Sequence, residues 1–212
     1  MALATLVINR LIGPICVYVD FLFAFVCESI PQVPRTTHEK HRFENALGSL
    51  GVVYGHKETM VWMQTLMPVT PALPGYDKSG WCCFESSVCS LQKDTNRRLD
   101  LGKFDGLITI FYDMQKSLKA SRSPPVNPHT FSDELEKRKF TGRGDKDKVK
   151  VLYTKIFDTI AAGAEELDFR ELNWGDAEAV KLACVGVRAC HTRYHWDLVI
   201  GAGRISINEL TF

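Results

Sequence analysis

The sequence carries almost no excess of charge. Its 26 basic and 25 acidic residues leave a formal net charge of +1. A dedicated nucleic-acid binder needs a basic face, so nucleic acid is not an expected partner, although a local patch is allowed. It also lacks any Cys-x-x-Cys pair. The seven cysteines are Cys16, Cys27, Cys82, Cys83, Cys89, Cys184 and Cys190. Their number is odd and no zinc spacing is present. Free thiols in a reducing compartment are the expectation, with a cytoplasmic location as the default. Gly142-x-Gly144 has neither the lysine-bearing phosphate-loop pattern nor the full dinucleotide fingerprint. His191 and His195 stand four apart with Cys190 beside them, but no third ligand of good spacing follows, so no metal site is expected. Arg143-Gly-Asp145 matches an adhesion tripeptide of a kind that chance often supplies.

What is present is enough chain for one large domain, or one domain with an appendage: 212 residues. A chain of this size hides roughly 70% of the surface its unfolded form exposes. Residues 11–27 form the one long apolar run. Three readings of it stand. A membrane span would be short and would carry Asp20 in its middle, at a cost of about 2.5–3.5 kcal/mol. A targeting peptide would have only Arg10 before its apolar core and no clear cleavage site after it. A buried strand over Ile15–Phe21 would be rich in β-branched and aromatic residues and would hold an acid, Asp20.

Beyond Pro34, Phe43, Ala46, Leu47 and Leu50 recur at helical spacing, with Gly51 as the expected end. Val52–Tyr54 reads as a brief strand or a last turn. Thr59–Met67 reads as a second strand, and Pro68, Pro71, Pro74 and Gly75 then exclude regular structure. Phe84, Val88 and Leu91 mark one face of a helix over Trp81–Lys93. Residues 94–106 are polar. Leu107–Tyr112 reads as a third strand, or as the start of a helix that continues through Met114–Leu118. Ser121–Pro128 is a proline-rich boundary, and Thr130–Lys139 a charged helix. Val149, Leu152, Tyr153, Ile156, Phe157 and Ile160 form the broadest apolar stripe, with Asp145 and Asp147 at its positive end. Strand, helix, strand, loop and helix in order predict an α/β fold with a parallel sheet. Ile15–Asp20 and Thr59–Leu66 are the expected neighbours in that sheet.

Residues 76–91 carry the sharpest local pattern. Tyr76, Ser79, Trp81, Cys82 and Glu85 resemble the segment in which Toll/interleukin-receptor (TIR) domains leave a core strand and open a helix, often with Trp-Cys-x-x-Glu. Met60–Leu66 is similar to the strand before it, Val17–Asp20 to an earlier strand ending in an acid, and Phe43–Leu50 to the helix between. The resemblance covers about residues 15–93. It implies a TIR/flavodoxin-like parallel sheet flanked by helices. The sheet is expected to be incomplete, because Met1–Arg10 lacks the aromatic–Ser–aromatic strand that opens the family. The tail, Leu167–Asp176 followed by Ala177–Cys190, resembles one unit of a leucine-rich repeat, which needs neighbours to bury its face. The implied organisation is a TIR-like domain over 11–120, a helical extension over 121–166 and a partial repeat over 167–212.

Two functions follow from the resemblance. One is an intracellular signalling module that binds protein partners or itself. The other is cleavage of the nicotinamide–ribose bond of NAD, with NAD as substrate and no bound cofactor. There Glu85 would be the catalytic carboxylate and Trp81, Tyr76, Ser79 and Asp20 would line the substrate. An oxocarbenium-like state is stabilised by such a carboxylate, and a first-turn position would hold Glu85 ionised through the helix dipole. The same dipole leads to the expectation of lowered thiol pKa values at Cys82 and Cys83, whose pairing with His56 or His38 would make a nucleophile. Trp81 and Trp62 are candidates to stack on a base, or else to anchor the core.

Overall fold

The computed structural model describes residues 34–66, 75–140, 142–163, 166–169, 172–182, 197–200 and 203–206. Asp20, the 11–27 run and the Cys190, His191 and His195 group lie outside the described residues. Helix α1 spans Thr37–Gly55. It opens with a reciprocal cap: Thr36 N–H donates to Glu39 Oε2 at 2.8 Å, and Glu39 N–H donates to Thr36 Oγ1 at 3.3 Å. The helix passes through Gly51, and Val52–Tyr54 are part of its last turns rather than a strand.

A short strand, β1 (Val61–Met63), follows, then a single 3-10 turn at Tyr76–Lys78 and helix α2 (Gly80–Gln92). Strand β2 (Arg98–Asp100) runs parallel to β1, with Trp62 opposite Leu99. Parallel strands need a crossover, and α2 supplies it. The core is therefore a two-strand parallel sheet flanked by helices. The expected second strand is reduced from Thr59–Met67 to three residues, and its partner comes from the stretch that reads as polar.

Leu107–Tyr112 is not a strand. Residues 107–110 are irregular, and helix α3 begins at Phe111 and ends at Ser117. The second edge of β2 is taken instead by residues 118–120: Asp100 N–H donates to Leu118 O at 2.7 Å and Ala120 N–H to Arg98 O at 2.8 Å. Helix α4 (Pro128–Glu136) is set by its first residues. Asn127 Oδ1 accepts from His129 and Thr130 N–H at 3.1 and 3.0 Å. Pro128 fills the first helical position, where its missing N–H costs nothing.

Helix α5 (Asp145–Gly163) places Val149, Tyr153, Phe157 and Ala161 four residues apart on its buried face. Tyr153 stacks on Phe131 with centroids 3.8 Å apart and donates its hydroxyl to Val126 O at 2.6 Å. Phe84, Val88 and Leu91 of α2, together with Phe131 and Leu135 of α4, complete this main core. Each large side chain fully buried there contributes about 1.5–3 kcal/mol. A second, smaller cluster of Leu99, Met114 and Leu118 sits under α3.

In the tail, β3 (Glu166–Asp168) pairs parallel with β4 (Asp197–Ile200), and a helical stretch at 176–182 lies between them in sequence. Strand β5 (Gly203–Ser206) returns antiparallel along β4. Among the described residues, no helix is long and apolar enough to cross a membrane.

Candidate functional site

The approach to α2 is held from both sides. Ser79 is the N-cap, and its hydroxyl accepts from Cys82 N–H at 3.4 Å. Gly80 N–H donates to Lys139 O at 2.8 Å, and Lys139 N–H donates to Lys78 O at 2.8 Å. The ring of Phe140 lies where a Cβ on Gly80 would stand, so any larger residue here would have to displace that ring. Ser79 is thus a structural cap. Trp81 is an anchor: its indole N–H donates to Asp145 Oδ2 at 3.2 Å, and its ring meets Phe84 edge-on at 6.0 Å. Trp62 lies 6.4 Å from Phe111 by ring centroids. Asp20 lies outside the described residues.

Glu85 is not in the first helical turn. With Ser79 as cap, it is the sixth residue of α2, beyond the reach of the dipole. The carboxyl is partly covered and lies beside the Tyr54 side chain of α1. Burial pushes its pKa up to about 7, and the Tyr54 hydroxyl opposes this only in part. The expected dipole-held carboxylate is therefore replaced by one poised between its charged and neutral forms. The thiols depart from expectation for the same reason. Burial raises Cys82 to about 11 and also raises Cys83, against the lowering expected at a helix start. His56 Nδ1 accepts Glu58 N–H at 3.1 Å and is engaged there.

A cleft of about 350 Å³ opens beside the start of α2. Tyr76, Cys82, Cys83, Ser86, Ser87 and Arg138 are among its lining residues; Glu85, Ser79 and Trp81 are not. Of the residues expected to hold NAD, Tyr76 alone among the described ones reaches it, beside the candidate thiols Cys82 and Cys83. Beneath it lies Arg98, 1% exposed. Its guanidinium donates to Ser90 Oγ at 3.0 Å and Ser86 Oγ at 3.2 Å, and its Nε has no partner. Sequence reasoning passed over Arg98 because it stands in a polar run. The signal that could have found the cleft is Ser86, Ser87 and Ser90, three poor helix formers close together inside an otherwise apolar helix. Among the described residues, no group of three or more His, Cys, Asp or Glu comes together to hold a metal.

Compared with protein-family models, with curated proteins and with solved structures, the chain matches none of them.

Proposed function

We propose that this chain is a signalling and protein-interaction module built on a TIR-like α/β core, and that it works by associating with a second copy of itself. The supporting observation is an exposed apolar segment at the start of α3. Leu107, Ile110, Phe111 and Tyr112 are 80%, 61%, 49% and 72% exposed within six consecutive positions. Exposed apolar side chains gathered in this way mark interaction surfaces. The parallel strand pair with its helices is compatible with the TIR/flavodoxin-like reading. The strand, helix and parallel strand of the tail support the partial-repeat reading, and β5 adds an antiparallel return to it.

Sedimentation velocity over a wide concentration range tests the proposal. Association that grows with concentration, and weakens in a Leu107→Ser/Tyr112→Ser variant of unchanged circular dichroism, is the expected result. A monomer at every concentration sinks it.

NAD cleavage is a second reading, and the perturbed carboxyl of Glu85 favours it. A carboxyl with a pKa of about 7 suits proton transfer near neutral pH. Its placement against Tyr54, outside the cleft lining, counts the other way. Nicotinamide release from NAD, abolished by Glu85→Ala, would establish this reading, and no release would end it.

A further inference from the structure

We infer that the cleft beside α2 is a binding site for a small organic acid, held with its carboxylate against Ser86 and Arg138. The charge beneath the cleft carries the inference. Arg98 is all but fully buried, and neither it nor Arg138 has a carboxylate within ion-pair distance among the described residues. The Nε atoms of both are buried and without partners. A buried cation without a counterion leaves a positive field, which an anion bound above it would complement.

The hydroxyls transmit that field. Ser90 Oγ spends its own proton on Ser86 O at 2.9 Å. Ser86 Oγ accepts from Arg98 and lines the cleft, so its proton is free to donate to a ligand. A hydroxyl that accepts from a guanidinium is the stronger donor for it. Arg138 adds a second cation at the wall, with one nitrogen fixed on Asp77 O.

The remaining walls narrow the ligand class. Asp77 and Glu134 also line the cleft and offset Arg138 and Lys181, so the one uncompensated charge is that of Arg98 beneath, which suits a monoanion better than a dianion such as a phosphate monoester. Pro124, Val126 and the ring of Tyr76 offer an apolar side to the body of the ligand. The volume is at the small end of the range typical of ligand pockets. A singly charged acid with an apolar body, such as an arylacetate, meets all of these conditions.

Isothermal titration calorimetry of the full chain with phenylacetate, phenylacetamide and inorganic phosphate tests the site. Saturable binding of phenylacetate alone is expected. Ser86→Ala should weaken it by about tenfold, the loss of one hydrogen bond to a charged group. Arg138→Met should weaken it at least as much, with circular dichroism showing both variants folded. Equal binding of phenylacetamide, tighter binding of phosphate, no saturable binding, or indifference to both substitutions would each overturn the assignment. Arg98→Met would also loosen α2 from β2, which Arg98 joins through Ser86 and Ser90.

Discussion

Two ionisable side chains in this fold are held against their preference, in opposite directions. Glu85 is raised from 4.5 to about 7, chiefly by burial. Its neutral form is the one that the fold favours. Stability from this group is therefore complete below pH 4.5 and is lost as pH rises through about 7, by on the order of 3 kcal/mol. Lys93 is 0% exposed, and burial lowers its pKa from 10.5 to about 8. Its charged form costs the fold below pH 8, and that cost is relieved as pH rises from about 8 toward 10.5. Together the two groups place a minimum of stability between about pH 7 and 8. Urea unfolding across pH 5–9 should show that minimum; above about pH 9 the buried thiols of Cys82 and Cys89, raised to about 11, oppose the gain from Lys93. Glu85→Gln should remove the fall between pH 5 and 7 while leaving the rise between about pH 8 and 9. A Glu85→Gln profile that still falls through neutral pH would show that another group carries the effect.

Lys93 nevertheless has a task that belongs to the element scale. Its ammonium donates to His56 O at 2.5 Å and Thr59 O at 2.7 Å, just past the end of α1. Gln92 Nε2 donates to Gly55 O at 2.7 Å, and the Cys89 thiol lies 3.4 Å from Tyr54 O. The last turn of α2 thus satisfies the carbonyls that α1 leaves open at its C-terminus, where positive charge is also favourable. Lys93→Met should destabilise the protein by about 1–3 kcal/mol at pH 7, as unpaired buried carbonyls do. A urea midpoint at or above that of the parent would show that water takes over this capping. Asn127→Ala should cost about 1 kcal/mol through the lost cap of α4. Thermal unfolding checks this, and Asn127→Asp should recover most of the loss.

Elements of this kind divided according to how much of their cause is local. Helix α5 was legible because four buried side chains recur at its own period, and α2 because Phe84, Val88 and Leu91 do the same. Strand β2 was not legible. It is three residues long and opens on Arg98, whose burial depends on serines from another helix. Leu107–Tyr112 has the composition of a strand, yet both edges of β2 were already occupied by β1 and by residues 118–120. Glu85 lies beyond the first turn of α2 whether the helix is counted from Gly80 or from Trp81. Reading the helix from Trp81 is accurate to within one residue, and it still does not place the sixth position in the first turn.

At the scale of the whole molecule, the two apolar clusters differ in size and in what encloses them. The main core joins α2, α4 and α5, and residues from the tail, Phe169 and Leu182, are buried in it as well. The smaller cluster has three fully enclosed members, Leu99, Met114 and Leu118, and helix α3 over it is seven residues long. Regions with few buried contacts open at lower free energy than the global transition. Native-state hydrogen exchange should therefore show a unit comprising β2, α3 and residues 118–120 that opens before α2 and α5. Leu118→Ala is the sharper probe, because Leu118 is completely enclosed and its truncation should cost about 2–5 kcal/mol locally. The variant should speed exchange at Asp100 and Ala120, whose amides close the 118–120 edge, while the amides of Tyr153 and Phe157 keep the parent rate under conditions where sub-global opening dominates. Equal acceleration at all four positions would mean that the two clusters unfold as one. In that case the exposed segment at 107–112 would be fixed as firmly as the main core. The separate-unit outcome instead gives the molecule a mobile apolar edge on a rigid helical body.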